Sequence, residues 1–265
     1  MVRVPANRTV RRIGLARALS KLGYCSRSQA AELIRAGHVR LNTKTSRDPE
    51  TPVHLEKDKI EVDGSVVESE RRIYVVMNKP RGLVTTASDE KGRDTVYSIL
   101  QESCERLPWV APVGRLDKAS EGLLLLTNDS EWAARVTAPE THLERAYHVQ
   151  IGMVADGDFI RTFTRGVKTR DGDFLRATSG RLLRSGEKNC WLEITLDEGK
   201  NRQIRRMMET LGVEVVRLVR VAIGPLELGT LAKGAYRYLR PEEKRSIDRA
   251  MTAKQRKPQP RNTSA

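Results

Sequence analysis

Sulfur and imidazole are scarce in this chain. Cys25, Cys104 and Cys190 are odd in number and far apart, and none sits in a Cys-x-x-Cys pair. No disulfide framework, zinc site or redox dithiol is expected from them. The four histidines, His38, His54, His142 and His148, lack metal-ligand spacing, so no metal is expected. Nucleotide-binding glycines are missing too, and no nucleotide or other cofactor is expected. No run of 18 apolar residues occurs, which argues against a membrane helix. Residues 1–12 are basic but have no apolar core, so a secretory signal is not expected and a cytoplasmic location is. Nothing suggests a coiled coil, and a monomer is the expectation.

Acids are the other shortage. The 265 residues carry 48 Lys and Arg against 34 Asp and Glu, a net charge of +14. The imbalance is concentrated: residues 1–47 hold eleven Lys or Arg and one acid, Glu32. Clustering of this kind favours a polyanion, nucleic acid first, over a solvated basic face with no partner. A hydrophobic content of 38% is enough for one substantial core and a smaller second one.

Residues 1–10 read as a flexible basic arm. Apolar residues at 15, 18, 19 and 22 mark one helix face, with Gly23 as its stop. Ser26-Arg27-Ser28-Gln29 is a capping-box pattern that opens a second helix running to Ala36, and Gly37 ends it. Val39-Arg40-Leu41-Asn42 alternates as a strand does, and 59–64 reads as a strand entering an Asp-Gly turn. Residues 11–67 therefore predict a small α+β unit with Arg11, Arg12, Arg17, Lys21, Arg27, Arg35 and Arg40 on or beside its helix pair. Such a pair presents charge to RNA backbone by shape.

A charged linker at 68–72 leads into a second domain, 73–245. Strands are expected at 74–77, 123–127, 146–151, 192–196 and 215–219, and helices at 94–101, 130–137 and 201–210. These do not alternate in simple βαβ fashion, so an α+β fold with a mixed, largely antiparallel sheet is favoured. Residues 246–265 are basic and polar and are expected to be a disordered tail.

Three segments of the second domain carry chemistry. In the first, Gly114-Arg115-Leu116-Asp117-Lys118-Ala119-Ser120-Glu121 precedes Gly122-Leu123-Leu124-Leu125-Leu126-Thr127, an apolar run suited to a strand buried on both faces. Asp117 thus lies on a loop set by a rigid strand, a common mount for catalytic groups, although an acid in a polar loop is also an ordinary turn residue. In the second, Asn201 can cap a helix whose first turn holds Arg202 and Arg205. Cations there oppose the helix dipole and suggest a compensating phosphate or carboxylate, or else a solvated face. In the third, Tyr147 within Glu144-Arg145-Ala146-Tyr147-His148 is either a core strand residue or a platform for a base.

The three segments together resemble the signature of the bacterial pseudouridine synthases. Gly114-Arg115-Leu116-Asp117 with Gly122 to Asp129 is similar to its central motif, Asn78-Lys79-Pro80-Arg81-Gly82 to its first, and Gly199-Lys200-Asn201-Arg202-Gln203-Ile204-Arg205-Arg206-Met207 to its third. Leu218 to Leu226 resembles the segment beyond. The front of the chain, Ser26-Arg27-Ser28-Gln29-Ala30 followed by Ile34 to Asn42, resembles the S4 RNA-binding module. The layout is that of the ribosomal synthases that carry an S4 module. Where the family usually has Lys-Thr-Tyr or Lys-Glu-Tyr, this chain has Arg145-Ala146-Tyr147 and keeps the tyrosine.

The resemblance implies isomerisation of a specific uridine in ribosomal RNA, or in an assembly intermediate, to pseudouridine, with the large subunit favoured over the small. Asp117 is implied as the essential carboxylate, Arg205 as the guanidinium that lowers its pKa and orients it, and Tyr147 as base stacker and late proton acceptor. Arg115 is implied to displace the target base, Ile223 to wall the pocket, and Lys79 and Arg202 to contact RNA. A non-catalytic RNA-binding or ribosome-assembly factor is the main alternative. An RNA N-glycosylase is the weaker one, since no second catalytic carboxylate stands out.

Overall fold

The computed structural model describes residues 12–86, 89, 91–101 and 107–255. The arm expected at 1–10, Cys104 and the end of the expected tail, 256–265, lie outside them. The chain divides into two compact units, one of residues up to 73 with 107–111 and 128–130, the other of 74–106, 112–127 and 131–265.

The first unit begins with helices α1 (Leu15–Lys21) and α2 (Arg27–Ala36). The predicted apolar face of α1 is its core face: Leu15, Ala18 and Leu19 are fully buried. Ser26 caps α2 reciprocally with Gln29, and Gly37 ends it at φ 87°, a left-handed conformation that costs glycine little. Strands β1 (Val39–Leu41) and β2 (Ile60–Val62) pair antiparallel, flanked by Lys44–Thr45 and Ser65–Val66. Ile34, Val39, Val53, Ile60 and Val62 join the helix face in one core. The segment read as a linker is tied down at its end. Asn128 accepts from the Ile73 N–H and donates to the Arg71 carbonyl, and Arg72 pairs with Asp129 at 3.2 Å.

The second unit is built on a mixed sheet. The main path of the sheet runs through β3 (Tyr74–Lys79), β4 (Glu121–Thr127), β5 (Arg145–Ile151), β6 (Ser179–Ser185), β7 (Cys190–Leu196), β8 (Val215–Ile223) and the short β9 (Tyr236–Tyr238). Their spatial order is β6-β7-β5-β8-β4-β3-β9. Only the contact of β8 with β4 is parallel among the paired strands of the described residues, with Val219 opposite Glu121 and Arg220 opposite Gly122. All seven residues of β4 are buried, which is why its middle is four leucines rather than an alternation. A Cβ on Gly122, at φ 100°, would overlap the backbone of Arg220, so the close parallel contact demands glycine there.

Helices α3 (Ser130–Thr137), α4 (Gly157–Arg165), α5 (Gln203–Thr210) and α6 (Pro241–Gln255) cover the sheet. One core joins Val149, Leu192 and Ile194 to Phe163 of α4 and Met207 and Met208 of α5. A second joins Val76, Leu123, Leu125 and Ile223 to Trp132 of α3 and Ile247 and Met251 of α6. The last pair corrects the sequence reading, which began a disordered tail at 246. Ile247 is wholly buried, Met251 nearly so, and Trp132 Nε1 donates to Asp248 at 2.8 Å. Two large apolar residues four apart, with Ala250 beside them, give a mostly polar helix its core-facing stripe.

Candidate active site

The loop bearing Asp117 is held from several sides. Thr85 Oγ1 donates to the Leu116 carbonyl at 2.7 Å and accepts from the Leu116 N–H. The Gly82 N–H donates to the Lys118 carbonyl at 2.8 Å. Lys79 Nζ donates to the carbonyls of Pro80, Asp117 and Ser120 at 3.0, 3.2 and 2.9 Å. The Ser120 N–H closes the turn on the Asp117 carbonyl at 2.9 Å. With its main chain fixed, Asp117 keeps its half-buried carboxylate directed outward, 3.6 Å from Arg202 Nη1.

Lys79 is therefore not the RNA contact that the sequence suggested. Its side chain is wholly buried, and its three donors are spent on the two loops. The reason is its place at the end of β3, facing into the turn before β4. Burial pushes its ammonium down to about 8, against the nearby carboxylates of Asp117 and Glu121 and with the help of Arg220.

The guanidinium paired with Asp117 also differs from expectation. Arg202, not Asn201, is the residue at the entry to α5; it is left-handed at φ 47° and ψ 33°, with no side-chain cap. That turn carries its guanidinium to the carboxylate. Arg205, about one helical turn on, is half-buried and forks between the Ala119 carbonyl at 3.1 Å and the Val215 carbonyl at 3.4 Å. Burial and the charges of Arg202 and Arg81 hold its guanidinium below the usual range, while Asp117 opposes them. Arg205 thus braces the loop two residues from Asp117.

Asp117 lies in the wall of a cleft of about 300 Å³ that also contains Arg115, Tyr147, Arg202, Arg220 and Ile223. A more open hollow of about 590 Å³ meets it at Arg115, Asp117, Asn201 and Arg202 and extends to Lys91 and Arg93. Tyr147 is partly buried against the core and also lines the cleft. A register shift in the pairing of β5 with β8 falls between Ala146 and Tyr147, which is a common device for aiming a side chain. Arg145 and Arg220 also line the cleft and were not singled out from sequence. Arg220 is nearly fully buried and its Nε donates to the Leu123 carbonyl at 2.7 Å. Its signal was available: an arginine inside the apolar run of β8. Under the cleft, burial would raise the carboxyl of Glu121, but Arg217 and Lys233 hold it below its usual value. Among the described residues no three His, Cys, Asp or Glu side chains converge as a metal site requires.

In the first unit Arg17, Arg27, Arg35 and Arg40 are exposed and Lys21 is half-buried. Arg40 is committed locally, donating twice to the Thr43 carbonyl and lying 3.7 Å from Glu61.

Residues 73–210 match the family described as RNA pseudouridylate synthase, and residues 13–60 match the S4 domain. The chain belongs to the RNA pseudouridylate synthase family. The synthase is 35% identical to the Bacillus subtilis (strain 168) protein named ribosomal large subunit pseudouridine synthase B, over 86% of this chain and 93% of that one. A Yersinia pestis protein of the same name is 37% identical, over 81% of this chain and 68% of that one. A crystal structure described as pseudouridylate synthase superposes with a TM-score of 0.61 at 27% identity, covering 89% of this synthase and 99% of its chain. The chain is thus an RNA pseudouridine synthase with an S4 domain in front and an α+β catalytic domain behind. No described helix is long and apolar enough to cross a membrane.

Proposed function

We propose that this synthase isomerises a uridine of large-subunit ribosomal RNA to pseudouridine, with Asp117 as the catalytic carboxylate. The observation that carries the reading is the placement of Asp117. Its backbone is fixed by Lys79 and Thr85, and its carboxylate meets Arg202 in a cleft shared with Tyr147. The choice of RNA rests on the names of the relatives from Bacillus subtilis and Yersinia pestis.

The reaction breaks the N1–C1′ bond of uridine and forms a C5–C1′ bond. Uracil leaves with the bonding pair, and C1′ becomes electron-poor. An ionised Asp117 supplies negative charge at that carbon. The base then turns within the cleft, C5 bonds to C1′, the C5 proton is lost, and N1 is left protonated. The sequence of steps is redox-neutral. The target uridine must leave its stack to enter the cleft, and Arg115, exposed at the rim, fills the space it vacates. Tyr147 stacks on the free base and Ile223 walls the opposite edge, which keeps uracil close while it turns.

Release of tritium from RNA carrying 5-tritiated uridine follows C5–H cleavage directly. The Asp117→Asn protein should bind such RNA as the wild type does and release none. Wild-type release from the variant would refute the assignment. Tritium release from small-subunit RNA alone would refute the choice of subunit.

A further inference from the structure

Side chains alternate along β5, so the strand that gives Tyr147 to the cleft gives His148 and Gln150 to the opposite face of the sheet. Strand pairing sets two rows on that face. One row runs Arg181, Glu193, His148, Val219; the other runs Arg184, Trp191, Gln150, Arg217. The cleft side of these strands is covered by α4 and α5. On the other side, His148, Arg184, Trp191 and Arg217 surround an open hollow of about 370 Å³.

The chemistry of this face is specific. Trp191 lies with the guanidinium carbons of Arg184 and Arg217 at 5.0 and 5.8 Å from its ring centre. Arg217 is tied to Glu121, and Arg181 to Glu193 by two hydrogen bonds of 2.7 and 3.0 Å. Arg184 is exposed and makes no carboxylate ion pair among the described residues. The face therefore combines an indole, half-exposed polar side chains and a surplus guanidinium on a rigid sheet. A basic tail is a poor occupant by charge, and an anionic chain with stackable rings is a good one.

We propose that this face is a second RNA-binding platform, which holds a single-stranded segment of the substrate RNA on the side of the sheet away from Asp117. One base stacks beside Trp191, and Arg184 holds an adjoining phosphate with the edge that the indole leaves free. The platform anchors RNA and takes no part in the isomerisation. It requires only that the substrate is RNA, not that Asp117 is the catalytic group.

A fluorescein-labelled 12-residue oligoadenylate, which has no uridine for the cleft, tests this on the full chain by anisotropy. Arg184→Glu, on an exposed site, should weaken binding about tenfold or more. Arg184→Ala should lower the slope of log affinity against log salt by about 0.7, the value for one lost phosphate contact on a single strand. Trp191→Ala should weaken binding about five- to tenfold and Trp191→Phe much less. A photo-crosslinking oligoadenylate should label residues 181–191 in the unaltered protein, a readout independent of any variant's folding. Labelling confined to residues 12–60 and the cleft, with unchanged affinity in Arg184→Glu, would overturn the platform. Loss of binding to ribosomal particles without loss on naked RNA would assign the face to a protein partner and overturn it equally. Asp117→Asn should bind the oligoadenylate normally whichever way these experiments fall.

Discussion

At the residue scale, two arginines act on Asp117 in different ways. Arg202 meets the Asp117 carboxylate, and Arg205 holds the loop that carries it. The pair with Arg202 is half-exposed and screened, whereas the Arg205 fork joins Ala119 to Val215 from a half-buried position. A lysine at 205 reaches one carbonyl but not both. Arg205→Lys should therefore lower kcat tenfold or more with little change in KM, and Arg202→Ala should do less damage to kcat. Equal kcat in Arg205→Lys and wild type would contradict the bracing role. Lys79 adds a pH dependence. Its folded pKa of about 8 lies below that of a free lysine, about 10.4. Its protonated form therefore weakens the fold, and stability from this group is lost as pH falls through 8 and regained between 8 and about 10.4. Loss of the ammonium also loosens its hold on the Asp117 and Ser120 carbonyls. Turnover should fall as pH rises through about 8 while Tm holds or rises, and a parallel fall in both would contradict this origin.

At the scale of elements, α6 is the clearest lesson in what a sequence conceals. Its helix is long, but its apolar seat is narrow, Ile247 and Met251 with Ala250 beside them, amid a polar and basic composition that reads as a tail. Composition averages over faces, and a contact of a few residues vanishes in the average. Burial of these side chains contributes about 3–6 kcal/mol. Ending the chain at 245 should lower Tm by roughly 10 °C, and a Tm within 2 °C of the full chain would show that α6 does not stabilise the domain. By contrast, β4 and α2 were legible because their signals are local: four leucines for a strand buried on both sides, and Ser26 with Gln29 for a cap. The motif residues were legible as a set, yet their contacts were not. Lys79 and Arg205 look like surface cations in a linear text. They become braces only when β3, β8 and the Asp117 turn meet in space.

At the scale of the whole molecule, a net charge of +14 gives the synthase a general attraction for RNA that falls with salt. Charge cannot select one uridine. On our proposal the cleft and the platform on the far face of the sheet add contacts to RNA that charge alone does not make. Cations given to RNA from sequence are not all available for it, since Lys79 is buried and Arg40 is bound to its own turn. The central claim is nevertheless simple: one carboxylate converts one uridine. The most direct measurement is pseudouridine mapping of ribosomal RNA from cells that lack the protein and are then supplied with the wild type or Asp117→Asn. The account predicts a large-subunit pseudouridine that the wild type restores and Asp117→Asn, present at equal level, does not. Restoration of that pseudouridine by Asp117→Asn would contradict it.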